Sequence, residues 1–293
     1  MDSALTTVGL PAALAIIMFG LGLSLTVDDF RRVGRQPRAV LIALGAQVVL
    51  LPALCFALVK LFDLEPVLAV GMMLLAASPG GTTANLFSHL FRGDVALNIS
   101  LTAVNSVLAV ATLPVVVNLA LNHFEPGGPD EVGLQLGKTL QVFAVVLVPV
   151  VIGMVVHRSS PAFAARADKP VRIASAVVLV LVIAGALLAE RENLREYLGD
   201  VGMITALFCI CSLTIGYLVP RLAGITERQS IATSFEVGIH NSTLAIAVAV
   251  NVLDNETFAV PAAVYGVAMF PLAAAAGFVF RRMSVETPTS VPA

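Results

Sequence analysis

Apolar residues run along this chain in long stretches, each closed by a short polar segment. Nine such stretches are legible, at about 8–26, 39–60, 66–90, 94–121, 132–156, 171–189, 200–219, 229–251 and 257–280. The segments between them are Asp28–Arg38, Asp63–Glu65, Arg92–Gly93, Asn122–Glu131, His157–Lys169, Glu190–Gly199, Arg221–Arg228 and Asp254–Glu256. A helix needs about 20 mostly apolar residues to cross a bilayer. The pattern therefore predicts an all-α integral membrane protein with nine transmembrane helices, a single domain filling 1–293 with no room for a soluble unit. The start Met1-Asp2-Ser3 has no basic segment, so the first stretch is expected to remain as a membrane helix rather than be cleaved. A short cytoplasmic tail is expected over 284–293.

Composition agrees. Apolar residues make up 58% and charged residues 12% of the chain, where a soluble domain carries roughly 25% charged. Lipid must solvate most of the surface. The net charge of −2 gives no footprint for nucleic acid. Cys55, Cys209 and Cys211 lie inside apolar stretches and read as small packing residues. The basic residues inform through position. Arg31, Arg32, Arg35, Arg38, Arg92, Arg158, Arg166, Lys169, Arg172, Arg221, Arg228, Arg281 and Arg282, thirteen of the 17 Lys and Arg, fall in alternate loops and the C-terminal end. Lys60, Lys138, Arg191 and Arg195 fall on the other side. Basic loops stay cytoplasmic, so the N-terminus is predicted outside the cell (inner) membrane and the C-terminus inside.

Two stretches are not plain apolar helices. The third contains Ser78-Pro79-Gly80-Gly81-Thr82-Thr83-Ala84-Asn85, and the eighth Glu236-Val237-Gly238-Ile239-His240-Asn241-Ser242. Proline removes a backbone donor and glycine weakens a helix interior, so both helices must break. Backbone groups freed at membrane depth cannot face lipid. The two stretches lie an odd number of crossings apart and run in opposite directions. Each break has an Asn soon after it, Asn85 and Asn241, and each following stretch has a mid-helix proline, Pro114 and Pro271. This is the trace of an inverted-topology repeat, about 8–121 and about 132–280.

Glu236 is the one acid placed deep in the membrane, where a charge is costly and marks function. Broken helices expose carbonyls to cations and half-helix N-termini to anions. Gln47, Asn85, Asn98, Thr102, Asn105, Asn241 and Ser242 add neutral oxygens, a set suited to a hard cation such as sodium. No nucleophile–base, metalloprotease or P-loop pattern is present, so an enzyme is not expected. A proton carried by Glu236 or His240, and a membrane sensor without net transport, remain as rival readings of the same residues.

At these residues the chain resembles the bile acid:sodium symporter family. The resemblance rests on Ile16-Ile17-Met18-Phe19-Gly20-Leu21-Gly22-Leu23-Ser24-Leu25, Pro79-Gly80-Gly81-Thr82-Thr83-Ala84-Asn85, Arg92-Gly93-Asp94-Val95-Ala96-Leu97 and Glu236-Val237-Gly238-Ile239-His240-Asn241-Ser242. It implies four helices in one repeat and five in the other, with two discontinuous helices crossing. The second to fourth and seventh to ninth helices would form a core, moving against a panel of the first, fifth and sixth. It implies two sodium ions. One would be held by Asn85, Asn98, Thr102 and Glu236. The other would lie among Gln47, Glu236, the carbonyls of Val237 and Ile239, and His240. An organic-anion substrate would meet the crossing near Thr82, Thr83 and Asn241. Ala84 and Asn98 stand where relatives commonly carry serine, and His240 where glutamine is usual. The expectation is sodium-coupled symport of a small monocarboxylate or bile-acid-like anion by alternating access, by a monomer in the lipid bilayer.

Overall fold

The computed structural model describes residues 33–81, 83–126, 136–167 and 194–285, with single positions between 15 and 31 and between 170 and 177. Most of the stretches at 8–26 and 171–189, Thr82, the segment 127–135 and the tail from 286 lie outside the described residues. Within them the chain is helical, without strands. Among the described residues, four helices are long and apolar enough to cross a membrane: Pro37–Leu61, Val95–Phe124, Val201–Leu222 and Thr257–Met283. Leu61, Leu222 and Val267 on these helices are largely exposed, as lipid-facing side chains are.

The first long helix has three parts, α1 (Pro37–Gly45), a π-helical turn (Ala46–Leu50) and α2 (Leu51–Leu61). Pro52 has no N–H to give the carbonyl four residues back, which favours the wider turn. That turn carries Gln47. The third stretch divides into α3 (Pro66–Ala77) and α4 (Thr83–Leu90). Pro66 starts α3, and the Pro79-Gly80-Gly81 run separates it from α4. Next come α5 (Val95–Phe124) and α6 (Leu136–Ser159). The Asp94 carboxylate caps α5 by accepting from the Leu97 N–H at 3.0 Å.

A short helix over 161–167 lies inside the segment expected as loop, and α7 (Leu194–Leu222) begins before the expected 200. Leu194, Arg195, Glu196 and Leu198 are good helix formers that carry the helix past its apolar portion. The eighth stretch divides into α8 (Glu227–Gly238) and α9 (Ser242–Asn251). A 3-10 turn (Thr257–Ala259) leads into α10 (Val260–Val285), which carries through Arg281 and Arg282 into the first residues of the expected tail.

The broken helices form the centre. In α3 every residue from Leu68 to Ala77 is buried, and in α8 every residue from Ser230 to Gly238. A helix enclosed on all sides needs no polar face. The long helices α5, α7 and α10 surround them and keep their outer faces apolar.

The loops sort to two ends. At one, Arg38 donates to the Ala223 carbonyl at 2.6 Å, and the Asp94 N–H donates to the Arg228 carbonyl at 2.8 Å. Phe91 packs on Phe278, and Tyr217 stacks on Phe280 at 4.5 Å, bringing Arg281 and Arg282 to the same end. At the other, Lys60 lies over the Phe124 ring at 5.2 Å, and Leu64 and Leu68 pack with Val201 and Val260. Asp63, Glu65 and Glu125 accompany them.

Candidate functional site

The two breaks meet. Gly80 and His240 form an isolated antiparallel bridge. The Gly81 N–H donates to the Ile239 carbonyl at 2.7 Å, and the Asn241 N–H donates to the Pro79 carbonyl at 2.8 Å. Each break thus satisfies backbone groups that the other has freed, as membrane burial demands. Two further carbonyls are met by side chains. Ser78 O accepts from Gln47 Nε2 at 3.0 Å and from His240 Nδ1 at 3.2 Å. Gly238 O accepts from the Tyr265 hydroxyl at 2.9 Å. The bridge sets Gly80 against His240, so Asn85 sits a helical turn further from the crossing than Asn241 does.

Glu236 lies in the last turn of α8 with 0% exposure. Its carboxylate accepts from the Thr102 hydroxyl at 2.6 Å and from Asn105 Nδ2 at 2.9 Å, both on α5. Gly80 lies against the same carboxylate, so closely that a β-carbon there would overlap it. Thr102 and Asn105 share one face of α5 by their spacing. The sequence marked Asn105 only as one polar group among several. Its contact with the acid was not assigned, because helix spacing does not reveal which neighbour a face meets.

Several oxygens near the crossing have no hydrogen-bond partner among the described residues: Gln47 Oε1, Asn85 Oδ1, Asn105 Oδ1 and Ser242 Oγ, all buried. Gln47, Asn105 and Pro79 line one small pocket together with Ala77 and Thr112. Buried oxygens without a donor suit a cation.

Asn98 is turned otherwise. Its Nδ2 faces Ala84 O at 3.3 Å, Ala232 O at 3.0 Å and the Ser88 hydroxyl, while Oδ1 lies 3.5 Å from the Thr102 hydroxyl. His240 stacks on Phe208 at 5.5 Å and meets the Tyr265 ring edge-on at 5.4 Å. A carbonyl can only accept, so the Nδ1 facing Ser78 carries the hydrogen. His240 Nε2 is buried and has no hydrogen-bond partner among the described residues. Val237 and Ile239 are fully buried. Asn241 caps α9, its Oδ1 accepting from the Leu244 N–H at 3.1 Å, and Thr83 opens α4. Thr82 lies outside the described residues.

The model of the Sodium Bile acid symporter family matches residues 11–197. The chain belongs to this family. A probable chloroplastic sodium/metabolite cotransporter of Oryza sativa is 30% identical over 269 residues, covering 92% of this chain and 62% of the relative. An uncharacterized sodium-dependent transporter of Bacillus subtilis is 29% identical over 254 residues, covering 87% and 77%. The human ileal sodium/bile acid cotransporter is 28% identical over 238 residues, covering 79% and 66%. The chain thus spans less than two thirds of the rice relative's length. An alignment over 92% of the chain necessarily takes in both breaks. The rice, Bacillus and human relatives are all named as sodium-dependent transporters or sodium cotransporters.

Proposed function

We propose that the protein is a secondary active transporter that carries an organic anion with sodium by alternating access. The observation that carries this reading is the Glu236 carboxylate, fully buried where two broken helices cross and held by Thr102 and Asn105. A buried carboxylate at membrane depth needs a compensating cation, and sodium entering down its gradient supplies both the charge and the driving force.

In this reading sodium lies at Glu236. Thr102, Asn98 Oδ1 and Asn85 stand on one flank. Gln47, Asn105 and the carbonyls of Val237 and Ile239 stand on the other. His240 holds the break at Ser78 in shape through Nδ1. The substrate carboxylate meets the half-helix N-termini near Thr82, Thr83 and Asn241, where the helix dipole favours an anion. The names of the relatives, which include sodium/metabolite and sodium/bile acid cotransporters, point to the same substrate class.

The architecture proposed with it is nine helices in inverted repeats of four and five, a core moving on a panel, and a monomer in the cell membrane. The arginine-bearing end faces the cytoplasm, with the N-terminus outside. The test is uptake of labelled carboxylates into proteoliposomes under an inward sodium gradient. Accumulation with sodium and none with choline is expected. Uptake driven equally by a proton gradient without sodium would replace sodium by protons, and substrate binding without uptake would make the protein a sensor.

A further inference from the structure

Asn98 is fully buried on α5. Its amide nitrogen faces three oxygens from two other helices: Ala84 O at 3.3 Å and the Ser88 hydroxyl on α4, and Ala232 O at 3.0 Å on α8. Two of these are carbonyls and can only accept, so the atom among them must be the NH2 and not the amide oxygen. Ala84 has no hydroxyl to offer and takes part through its carbonyl alone. Carbonyl and hydroxyl oxygens converging on one point make the kind of shell that holds a hard cation. Here a nitrogen bearing two hydrogens stands at that point, and it belongs to the protein.

The charge balance points the same way. Glu236 is the only buried acid among the described residues. Before the substrate anion arrives, one sodium neutralises it. A second on the Asn98 flank would leave a net positive charge in a fully buried site, which membrane burial opposes. An amide satisfies the same oxygens and brings no charge.

We propose that the Asn98 amide nitrogen takes the place of a coupling cation, pinning α4 and α8 to α5, so that the chain binds a single sodium at Glu236 rather than the two its resemblance implied. This rests on the proposed sodium coupling. The Asn98 oxygen, 3.5 Å from the Thr102 hydroxyl, stays directed toward the Glu236 side.

The test is calorimetric titration of the purified full chain with sodium, ionic strength balanced with choline, for wild type, Asn98→Asp and Asn98→Ser. Asn98→Asp puts an oxygen and a negative charge where the NH2 stood. Asn98→Ser removes the amide and leaves a hydroxyl. The expected result is one sodium per wild-type protein and a second in the variants. If Asn98→Asp does not fold, Asn98→Ser alone carries the test. Two sodium ions in wild type, or an unchanged ratio in every folded variant, overturns the proposal. No sodium bound by wild type and one gained by Asn98→Asp would sink the sodium reading at Glu236 while leaving the amide assignment standing.

Discussion

The α-carbon of Gly80 rests against the carboxylate of Glu236, and this contact joins the two breaks at the acid. A methyl group there overlaps both carboxylate oxygens. Glu236 could move only by giving up its bonds to Thr102 and Asn105. Gly80→Ala is therefore expected to cost about 1–3 kcal/mol and to lower sodium affinity. At Gly81 a methyl group meets its nearest neighbour, His240 O, at 3.4 Å. Gly81→Ala should lower the melting temperature less, and thermal unfolding of both variants with and without sodium checks the order.

Asn241 has two separable parts in this account. Its side-chain oxygen caps α9, and its position faces the proposed substrate. Asn241→Asp keeps a capping oxygen but sets a negative charge against an incoming anion. It is expected to hold the melting temperature and to lose substrate affinity. Asn241→Ala is expected to lose both, with about 1 kcal/mol of stability from the cap. Equal substrate affinity in Asn241→Asp and wild type removes Asn241 from the substrate site.

His240 donates from Nδ1 to the Ser78 carbonyl and packs against two aromatic rings. Glutamine at this position can donate to the same carbonyl. His240→Gln is expected to keep sodium affinity within about twofold of wild type from pH ~5.5 to pH ~7.5, a range spanning ordinary imidazole titration. Two affinity curves that separate as the pH falls make the imidazole part of the cation site.

The breaks themselves were legible, because Pro79, Gly80, Gly81 and Gly238 act locally on the helix that holds them. Their partners were not. The pairing of Gly80 with His240 joins positions remote in sequence, and neither residue type announces it. The same holds for Asn98. The sequence identifies an amide, but only the carbonyls of Ala84 and Ala232 decide which end of it faces inward. The π-helical turn at Gln47 was missed too, although Pro52 was its visible cause. Ser88 escaped notice because a hydroxyl in a membrane helix usually bonds its own backbone, and its partner Asn98 lies on the next helix.

The central claim is that Glu236 binds the coupling ion. Glu236→Gln keeps the shape of the side chain and removes its charge. It also sets an NH2 against one of the two donors, Thr102 and Asn105. The direct measurement is sodium binding by calorimetry to purified wild type and to Glu236→Gln, with thermal unfolding as the control for folding. Loss of a charged ligand weakens an interaction by about 1.5–3 kcal/mol, or about 10- to 100-fold in affinity. The account predicts a loss of at least that size in a folded variant, whereas wild-type sodium affinity in folded Glu236→Gln would contradict it.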